Sequence, residues 1–224
     1  MKLYIKGSSN REKIKLARTT LFSPELYRLM KDPNWKVRIS VIANPDINNI
    51  YHQQKLEDMI RNEENPEVLD FMCDTLSNMH WYIANNCYTS EETFKKLANM
   101  ENPSIRECVA GNPYTPPEIL IQLSQDPDIG VIKRVAENYS TPPEVLAELS
   151  KHDNDYVRMY VAQNRNTPIA ILELLSSDPH YFVRLGVTRN INTPKEVLVK
   201  LANDNDAAVN RTAYDRLRDG DYVR

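Results

Sequence analysis

The sequence predicts an all-α solenoid built from two-helix repeats of about 26 residues. The first observation that supports this class is a column of asparagines at a constant spacing of 26: Asn86, Asn112, Asn138, Asn164 and Asn190. The second and third are columns of threonine and leucine with the same spacing: Thr89, Thr115, Thr141, Thr167 and Thr193, then Leu97, Leu123, Leu149, Leu175 and Leu201. A constant period of about 20 to 50 residues is typical of stacked units, each too small to bury its apolar face alone.

The first half of each repeat predicts a short amphipathic helix, as in HDNDYVRMYVAQN at 152–164. At about 100° per residue, Val157, Val161 and Ala162 share one arc, which we expect to be core. Asp126 and Asp178 each precede a proline, and this pattern predicts an N-cap residue followed by proline in the first turn.

The second half of each repeat opens with threonine and in most copies proline follows it, as in STPPEVLAEL at 140–149. Glutamate follows the threonine by three residues in four copies, as at Thr141 and Glu144, and this spacing predicts a capping box. Thr167 has Ala170 at that place, so we expect a weaker helix start there.

The order of these patterns along the chain predicts one solenoid with irregular ends. Asn44 and Asn86 are 42 residues apart, one period plus 16, which indicates an enlarged helix or an inserted turn. We expect a basic segment packed as or near a cap at 1–20, a single solenoid at 21–217 and a charged tail at 218–224. Within the solenoid we expect irregular repeats at 21–75, regular repeats at 76–203 and a terminal cap at 204–217.

Composition indicates a cytoplasmic protein without a cofactor. The 224 residues carry a formal net charge of −3 and include no apolar run of the ~20 residues needed to cross a bilayer. The start MKLYIKGSSN lacks the apolar region of a secretory signal. Cys73, Cys87 and Cys108 form no CxxC pair, so we expect free thiols, with no metal site.

Two stretches, VRMYVAQNRNTPIAILELL and VIKRVAENYSTPPEVLAEL, resemble the leucine-rich repeat variant family, which is related in shape to HEAT-like arrays. The resemblance covers roughly residues 20–217. It implies a right-handed superhelix of short paired helices, one of which is often 3₁₀. Some members carry an iron–sulfur cluster on N-terminal cysteines, but this chain has no cysteine before Cys73, so the cluster is not expected here.

An arginine column falls inside the core arc of the first helices and has two interpretations. Arg106, Arg158 and Arg184, with Arg38 earlier, could grip an acidic ligand. Alternatively, each guanidinium bonds carbonyls or the aspartate of a neighbouring repeat while its stem is packed. The position inside the core arc favours the second interpretation.

The opposite arc of the first helices holds large apolar and aromatic residues that the repeat does not demand. Such residues favour a partner-binding face, although some could simply contact the next repeat. The candidate partner-binding residues are Trp81, Tyr82, Tyr156, Met159, Tyr160, Phe182 and Leu185.

These observations favour a non-catalytic scaffold that binds another protein or a peptide, because no GxxxxGK[ST], GxGxxG or GxSxG motif occurs. An enzyme with a cleft assembled from distant residues is a third, less favoured hypothesis. The alternative partner is nucleic acid, bound through Lys13, Lys15, Arg18, Arg106, Arg158 and Arg184. The first twenty residues hold six basic residues against Glu12, a net charge of +5, so the remaining residues carry −8. That acidic remainder disfavours nucleic acid.

Overall fold

A computed structural model describes residues 7–20, 23–48 and 52–222, which form α-helices and short 3₁₀ helices with no β-strand in these ranges. The all-α class and the two-helix repeat are therefore confirmed. The chain divides into two compact units, residues 1–100 and 101–224. Residues 1–6 of the predicted basic segment and residues 223–224 of the predicted tail lie outside the described residues.

The first unit contains seven α-helices in its described part. They are α1 (Asn10–Thr19), α2 (Ser23–Leu29), α3 (Trp35–Ile42), α4 (Gln53–Arg61), α5 (Pro66–Thr75), α6 (His80–Ala84) and α7 (Glu91–Ala98). This unit also contains the 3₁₀ helices Pro45–Asn48 and Ser77–Met79. Helix α1 starts with a capping box, in which the Ser9 hydroxyl accepts from the Glu12 N–H and the Glu12 carboxylate accepts from the Ser9 N–H.

The second unit alternates first and second helices of the repeat. They are α8 (Pro103–Gly111), α9 (Pro117–Leu123), α10 (Ile129–Glu137), α11 (Pro143–Leu149), α12 (Asp155–Gln163), α13 (Ile169–Leu175), α14 (Tyr181–Arg189), α15 (Lys195–Leu201) and α16 (Ala207–Asp219). The first helices α8, α10, α12, α14 and α16 pack side by side in chain order, and the second helices pack against them. Both helices of each repeat are α-helical here, and α16 continues through the predicted boundary at 217.

The core of the second unit lies between these two layers. Val157, Val161 and Ala162 are fully buried on α12, as their shared arc predicts, and Leu172 and Leu175 of α13 are buried with them. Burying an aliphatic side chain stabilises the fold by about 1.5–3 kcal/mol, so each repeat depends on its neighbours for most of its stability. No helix among the described residues is both long and apolar enough to cross a membrane.

The first helices start two residues later than predicted. The side chain of Asn154, the N-cap of α12, accepts from the Tyr156 N–H at 3.0 Å, and Asn102, Asp128 and Asp206 cap α8, α10 and α16 in the same way. The prediction that Asp126 and Asp178 are N-caps is wrong. Each of these carboxylates instead accepts from the backbone N–H two residues on, a local bond that short acidic side chains readily make.

The second helices of the second unit do not use the predicted threonine capping boxes. Their N-cap residues are prolines, such as Pro142 before α11, and these make no side-chain capping bond. The Thr141 hydroxyl donates back to the Val135 carbonyl at 2.6 Å, in the last turn of the preceding first helix. The same carbonyl also accepts from the Asn138 N–H at 3.2 Å, so the threonine adds a second bond at a helix end rather than capping a helix start. In the first unit, Ser90 and not Thr89 is the N-cap of α7.

Within each unit, the asparagine column bonds a repeat to the one before it. The Asn164 amide donates to the Ala136 and Asn138 carbonyls, both at 2.9 Å, and its oxygen accepts from the Asn166 N–H at 2.9 Å. Asn138, Asn190, Asn44 and Asn86 donate to preceding carbonyls in the same manner. The predicted bonding of loop backbone is confirmed. The backbone of Asn164 is extended, with φ of −68°, so the left-handed alternative is not used.

The last position of the asparagine column is occupied by Arg216. It stands 26 residues after Asn190, and its Nη1 donates to the Thr188 and Asn190 carbonyls at 2.8 and 2.6 Å. A guanidinium therefore makes the two bonds that an amide makes in the preceding repeats.

Candidate functional site

The outward side of α12 and α14 carries five of the predicted partner-binding residues. Tyr156 is exposed, and the other four are half-buried. We call this surface the aromatic face, and it consists of Tyr156, Met159, Tyr160, Phe182 and Leu185. Because the two first helices pack side by side, residues 26 apart in the sequence become neighbours.

The rings of Tyr156 and Phe182 contact each other across the two helices. Their ring centroids are 5.4 Å apart with an interplanar angle of 30°, and Tyr156 is 54% exposed. Ser104, Gly130 and Ala208 occupy the same repeat position in α8, α10 and α16. Large rings are therefore confined to two adjacent first helices of this unit, and the repeat itself does not require them.

Two further rings extend this surface and were missed by sequence reasoning. The Phe182 ring lies 5.5 Å from the His180 ring and 5.6 Å from the Tyr181 ring, and Tyr181 is half exposed. His180 is the N-cap of α14 but makes no capping bond, and its Nδ1 lies 3.5 Å from Asp155 Oδ2. The available signal was that both residues directly precede Phe182 at the start of a first helix.

A close approach of helices makes the aromatic face continuous. A Cβ added at Gly186 would lie 3.0 Å from the Ala162 Cβ and 3.2 Å from the Met159 carbonyl oxygen. Glycine at this place thus allows α14 to approach the backbone of α12. The space that a Cβ at Gly130 would need is occupied by the Glu107 carboxylate.

The edge of the aromatic face toward α10 is basic. Lys133 Nζ lies 5.9 Å from the centroid of the Tyr156 ring, within the range of a cation–π interaction. Arg134, the next residue, is paired with Glu137 at 2.9 Å. The column that holds Met159 and Leu185 continues to Arg211 on α16, whose side chain is 87% exposed.

The remaining two predicted residues, Trp81 and Tyr82, lie in the first unit on α6. Their rings form an edge-to-face pair with centroids 5.0 Å apart, and the Arg61 guanidinium lies 5.6 Å from the Tyr82 centroid. A hydrogen bond to the Glu57 carboxylate raises the pKa of Tyr82. A pocket of about 360 Å³ is lined by these three residues with Asn85, Asn86 and Cys87. The predicted residues thus form two clusters, one in each unit.

The arginine column forms ion pairs with aspartates twenty residues further along the chain. Arg158 Nε donates to Asp178 Oδ2 at 2.7 Å, while its Nη1 donates to the His152 and Asp153 carbonyls. Arg106 with Asp126 and Arg184 with Asp204 repeat the arrangement, and Arg38 pairs with Glu63. The hydrogen bond from each arginine holds the pKa of Asp126 and that of Asp204 below their usual range. The second interpretation of this column, the structural one, matches these contacts.

The basic residues predicted for nucleic-acid binding are divided between paired and exposed groups. Lys13 Nζ is 2.8 Å from Asp32 Oδ2, so its charge is already used within the first unit. Lys15 and Arg18 are exposed on α1.

A cleft of about 840 Å³ in the first unit was not anticipated from sequence, because no motif marks it. Tyr27, Met30 and Met59 contribute apolar surface, and Lys31 and Lys55 contribute basic groups. It also borders the Arg38–Glu63 ion pair. The cleft lies in the irregular repeats, beside the segment in which the asparagine spacing exceeds one period.

The cysteines do not assemble into a site. Burial raises the pKa of the Cys73 thiol to about 11, whereas Cys87 is exposed and Cys108 is half-buried. Across the described ranges, no three or more His, Cys, Asp or Glu residues are grouped so that they could hold a metal ion.

Comparison with solved structures places the fold among helical repeat proteins. A structure described as a leucine-rich repeat variant with a novel repetitive structural motif is 22% identical, with a TM-score of 0.55, and the match covers 92% of this chain and 82% of that chain. This likeness confirms the family resemblance at the level of the fold alone.

Two more distant structures also match. An engineered protein is 14% identical, with a TM-score of 0.37 and coverage of 91% of this chain and 82% of its own. A designed armadillo repeat protein in complex with the peptide (KR)4 is 15% identical, with a TM-score of 0.36 and coverage of 87% and 98%. Both are too distant to support an argument. No protein-family model and no curated protein matches the chain.

Proposed function

We propose that the protein is a non-catalytic, cytoplasmic repeat scaffold that binds another protein, or a peptide segment of one, through the aromatic face. The observation that carries this proposal is the contact between the exposed Tyr156 ring and the half-buried Phe182 ring on adjacent first helices. Tyrosine, phenylalanine and methionine are enriched at interfaces, where they supply large contact areas at low entropic cost.

The division of labour within the repeat supports the same proposal. The arginine, asparagine and threonine columns are committed to ion pairs and hydrogen bonds within and between repeats. The aromatic face, by contrast, is not repeated along the array, since its equivalents in α8, α10 and α16 are small at the position of Tyr156. Residues that stability does not demand are the natural place for recognition.

Affinity capture from a native lysate tests this proposal when three baits are compared. The wild-type protein should enrich a partner that Tyr156→Ala with Phe182→Ala no longer retains. The control is Tyr139→Ala with Ile191→Ala, which removes two side chains of the same unit that are 52% and 64% exposed in loops. A partner that is lost with the control and kept by the aromatic-face variant would contradict the proposal.

The alternative function, nucleic-acid binding, draws its support from Lys15 and Arg18, which are exposed on α1. Arg106, Arg158 and Arg184 would have to give up their aspartate partners to contact phosphate. Nuclease treatment of the lysate separates the two functions. We expect capture to survive nuclease, while loss of the partner with nuclease and with rising salt would favour the alternative.

A further inference from the structure

We infer that the segment bound by the aromatic face carries a carboxylate that pairs with Lys133, beside an apolar side chain that contacts Tyr156 and Phe182. This inference rests on the proposed function and specifies the chemistry of the partner.

The Lys133 ammonium is a positive charge within cation–π distance of a ring of the aromatic face. Its Nζ lies 5.9 Å from the Tyr156 centroid, and no carboxylate in the described part of the chain lies within ion-pair distance of it. Neighbouring cations differ in this respect, since Arg134 is paired with Glu137 and Arg158 with Asp178.

Covering the Tyr156 ring would remove water from this ammonium. Desolvating a cation without a counter-charge or a hydrogen-bond acceptor costs several kcal/mol, which would offset much of the gain from burying the rings. A partner that places a carboxylate on Lys133 avoids that cost and adds a charge-assisted hydrogen bond. Burial of the ring and pairing of the lysine are therefore coupled requirements.

The acidic groups near the face are less available to attract a cationic partner. Asp155 accepts from the Tyr156 N–H at 2.9 Å and lies 3.5 Å from the His180 imidazole. The Glu107 carboxylate lies against Gly130. The charge balance at the surface therefore favours an acidic segment over a basic one.

The opposite edge of the face has the same sign. In the column through Met159 and Leu185, Lys133 on α10 stands one repeat before Met159, and Arg211 on α16 stands one repeat after Leu185. The column also holds Glu107 on α8, one repeat further from the aromatic face than Lys133. Arg211 is 3.9 Å from Asp215, a weak exposed pair. An apolar centre between two basic edges fits a segment with an apolar centre and acidic flanks.

Selection from a displayed library of random peptides tests the inference. Peptides selected by the wild-type protein should be enriched in Asp or Glu beside Leu, Phe or another apolar residue. Selection by Lys133→Glu should lose the acidic preference. An unchanged consensus in that variant, or a wild-type consensus without acidic residues, would overturn the inference.

The same selection distinguishes failure of this inference from failure of the proposed function. Selected peptides that still bind Tyr156→Ala with Phe182→Ala would contradict the proposed function, as would a library that gives no binder. Peptides that require both rings but no carboxylate would contradict only the acidic partner.

Affinity for a synthetic consensus peptide makes the test quantitative. Lys133→Met should weaken binding by about tenfold or more, because close interfacial charge pairs contribute at least about 1.5 kcal/mol. Lys133→Arg keeps the charge and should stay within about threefold of the wild type, and the Met effect should shrink as salt rises. Equal affinity of the wild type and Lys133→Met at low salt would overturn the inference.

Discussion

Arg158 and Asp178 form a two-point ion pair that joins neighbouring repeats, with Nε–Oδ2 at 2.7 Å and Nη2–Oδ1 at 3.2 Å. The same aspartate accepts from the His180 N–H and so fixes the loop before α14. Each such pair therefore joins one first helix to the turn that starts the next. The alignment of the first helices, and with it the aromatic face, depends on these bonds.

Removal of one partner of this pair should destabilise the protein strongly. Asp178→Ala leaves the Arg158 guanidinium, whose side chain is 13% exposed, without its counter-charge. We expect a loss of about 3 kcal/mol in the free energy of unfolding, measured by urea denaturation. Glu148→Ala, which removes an exposed pair with Lys151 at 3.6 Å, is the control and should cost less than about 1 kcal/mol. Equal losses in the two variants would contradict this role.

In one copy of the repeat, both members of this arginine–aspartate pair are replaced. Ile132 stands at the arginine position, and His152 stands at the aspartate position twenty residues on, where its Nδ1 accepts from the Asn154 N–H at 3.0 Å. Ile132→Arg with His152→Asp should recreate the ion pair. In a double-mutant cycle we expect a favourable coupling of about 1–3 kcal/mol between the two substitutions. If the effects of the two substitutions on stability were simply additive, an arginine and an aspartate at these two positions would not form an ion pair.

A capping box would require both Thr141 and Glu144 for stability, whereas the observed contacts predict that only Thr141 is required. Thr141→Val removes the 2.6 Å hydrogen bond to the Val135 carbonyl, which keeps its bond from the Asn138 N–H, and should cost about 1 kcal/mol in the free energy of unfolding. Glu144 is exposed, and Glu144→Ala should change stability by less than about 0.5 kcal/mol. A comparable loss of stability in both variants would instead support a capping box formed by Thr141 and Glu144.

Acid should weaken the arginine–aspartate ion pairs of the arginine column in a defined pH range. The hydrogen bonds from Arg184 lower the pKa of Asp204 in the folded protein. Around this pKa the folded protein therefore binds fewer protons than the unfolded chain, and stability rises with pH. Its contribution is complete above the unfolded pKa of about 3.9 and is lost as pH falls through the lower folded value. The urea midpoint should be level from about pH 7 to 5 and fall below about pH 4. Asp204→Asn should lower the neutral midpoint and reduce the acid fall, and an unchanged acid fall would contradict this assignment.

The fold was predictable because the same residue pattern recurs in several repeats, whereas one copy alone would fit several structures. A single asparagine such as Asn164 says little, but five at one spacing define both the unit and its stacking direction. The same spacing places Tyr156 and Phe182 on adjacent helices, which the ring distance of 5.4 Å agrees with.

The helix starts were not predictable with the same accuracy, because short polar side chains have several competing partners. Asp178 can cap a helix or bond a backbone N–H two residues on, and the sequence does not distinguish these bonds. The paired replacement at Ile132 and His152 becomes visible only once the twenty-residue separation is known. His180 and Tyr181 were missed because contact with the Phe182 ring depends on side-chain direction.

Site-specific photocrosslinking tests the central claim most directly. A benzophenone amino acid in place of Tyr156 should give a covalent adduct with a partner protein, and the same group in place of Tyr139, a loop residue of the same unit, should not. This result would establish the aromatic face as the contact surface. Adducts formed at position 139 but not at position 156 would contradict the claim and would assign the binding surface to the loops that contain Tyr139.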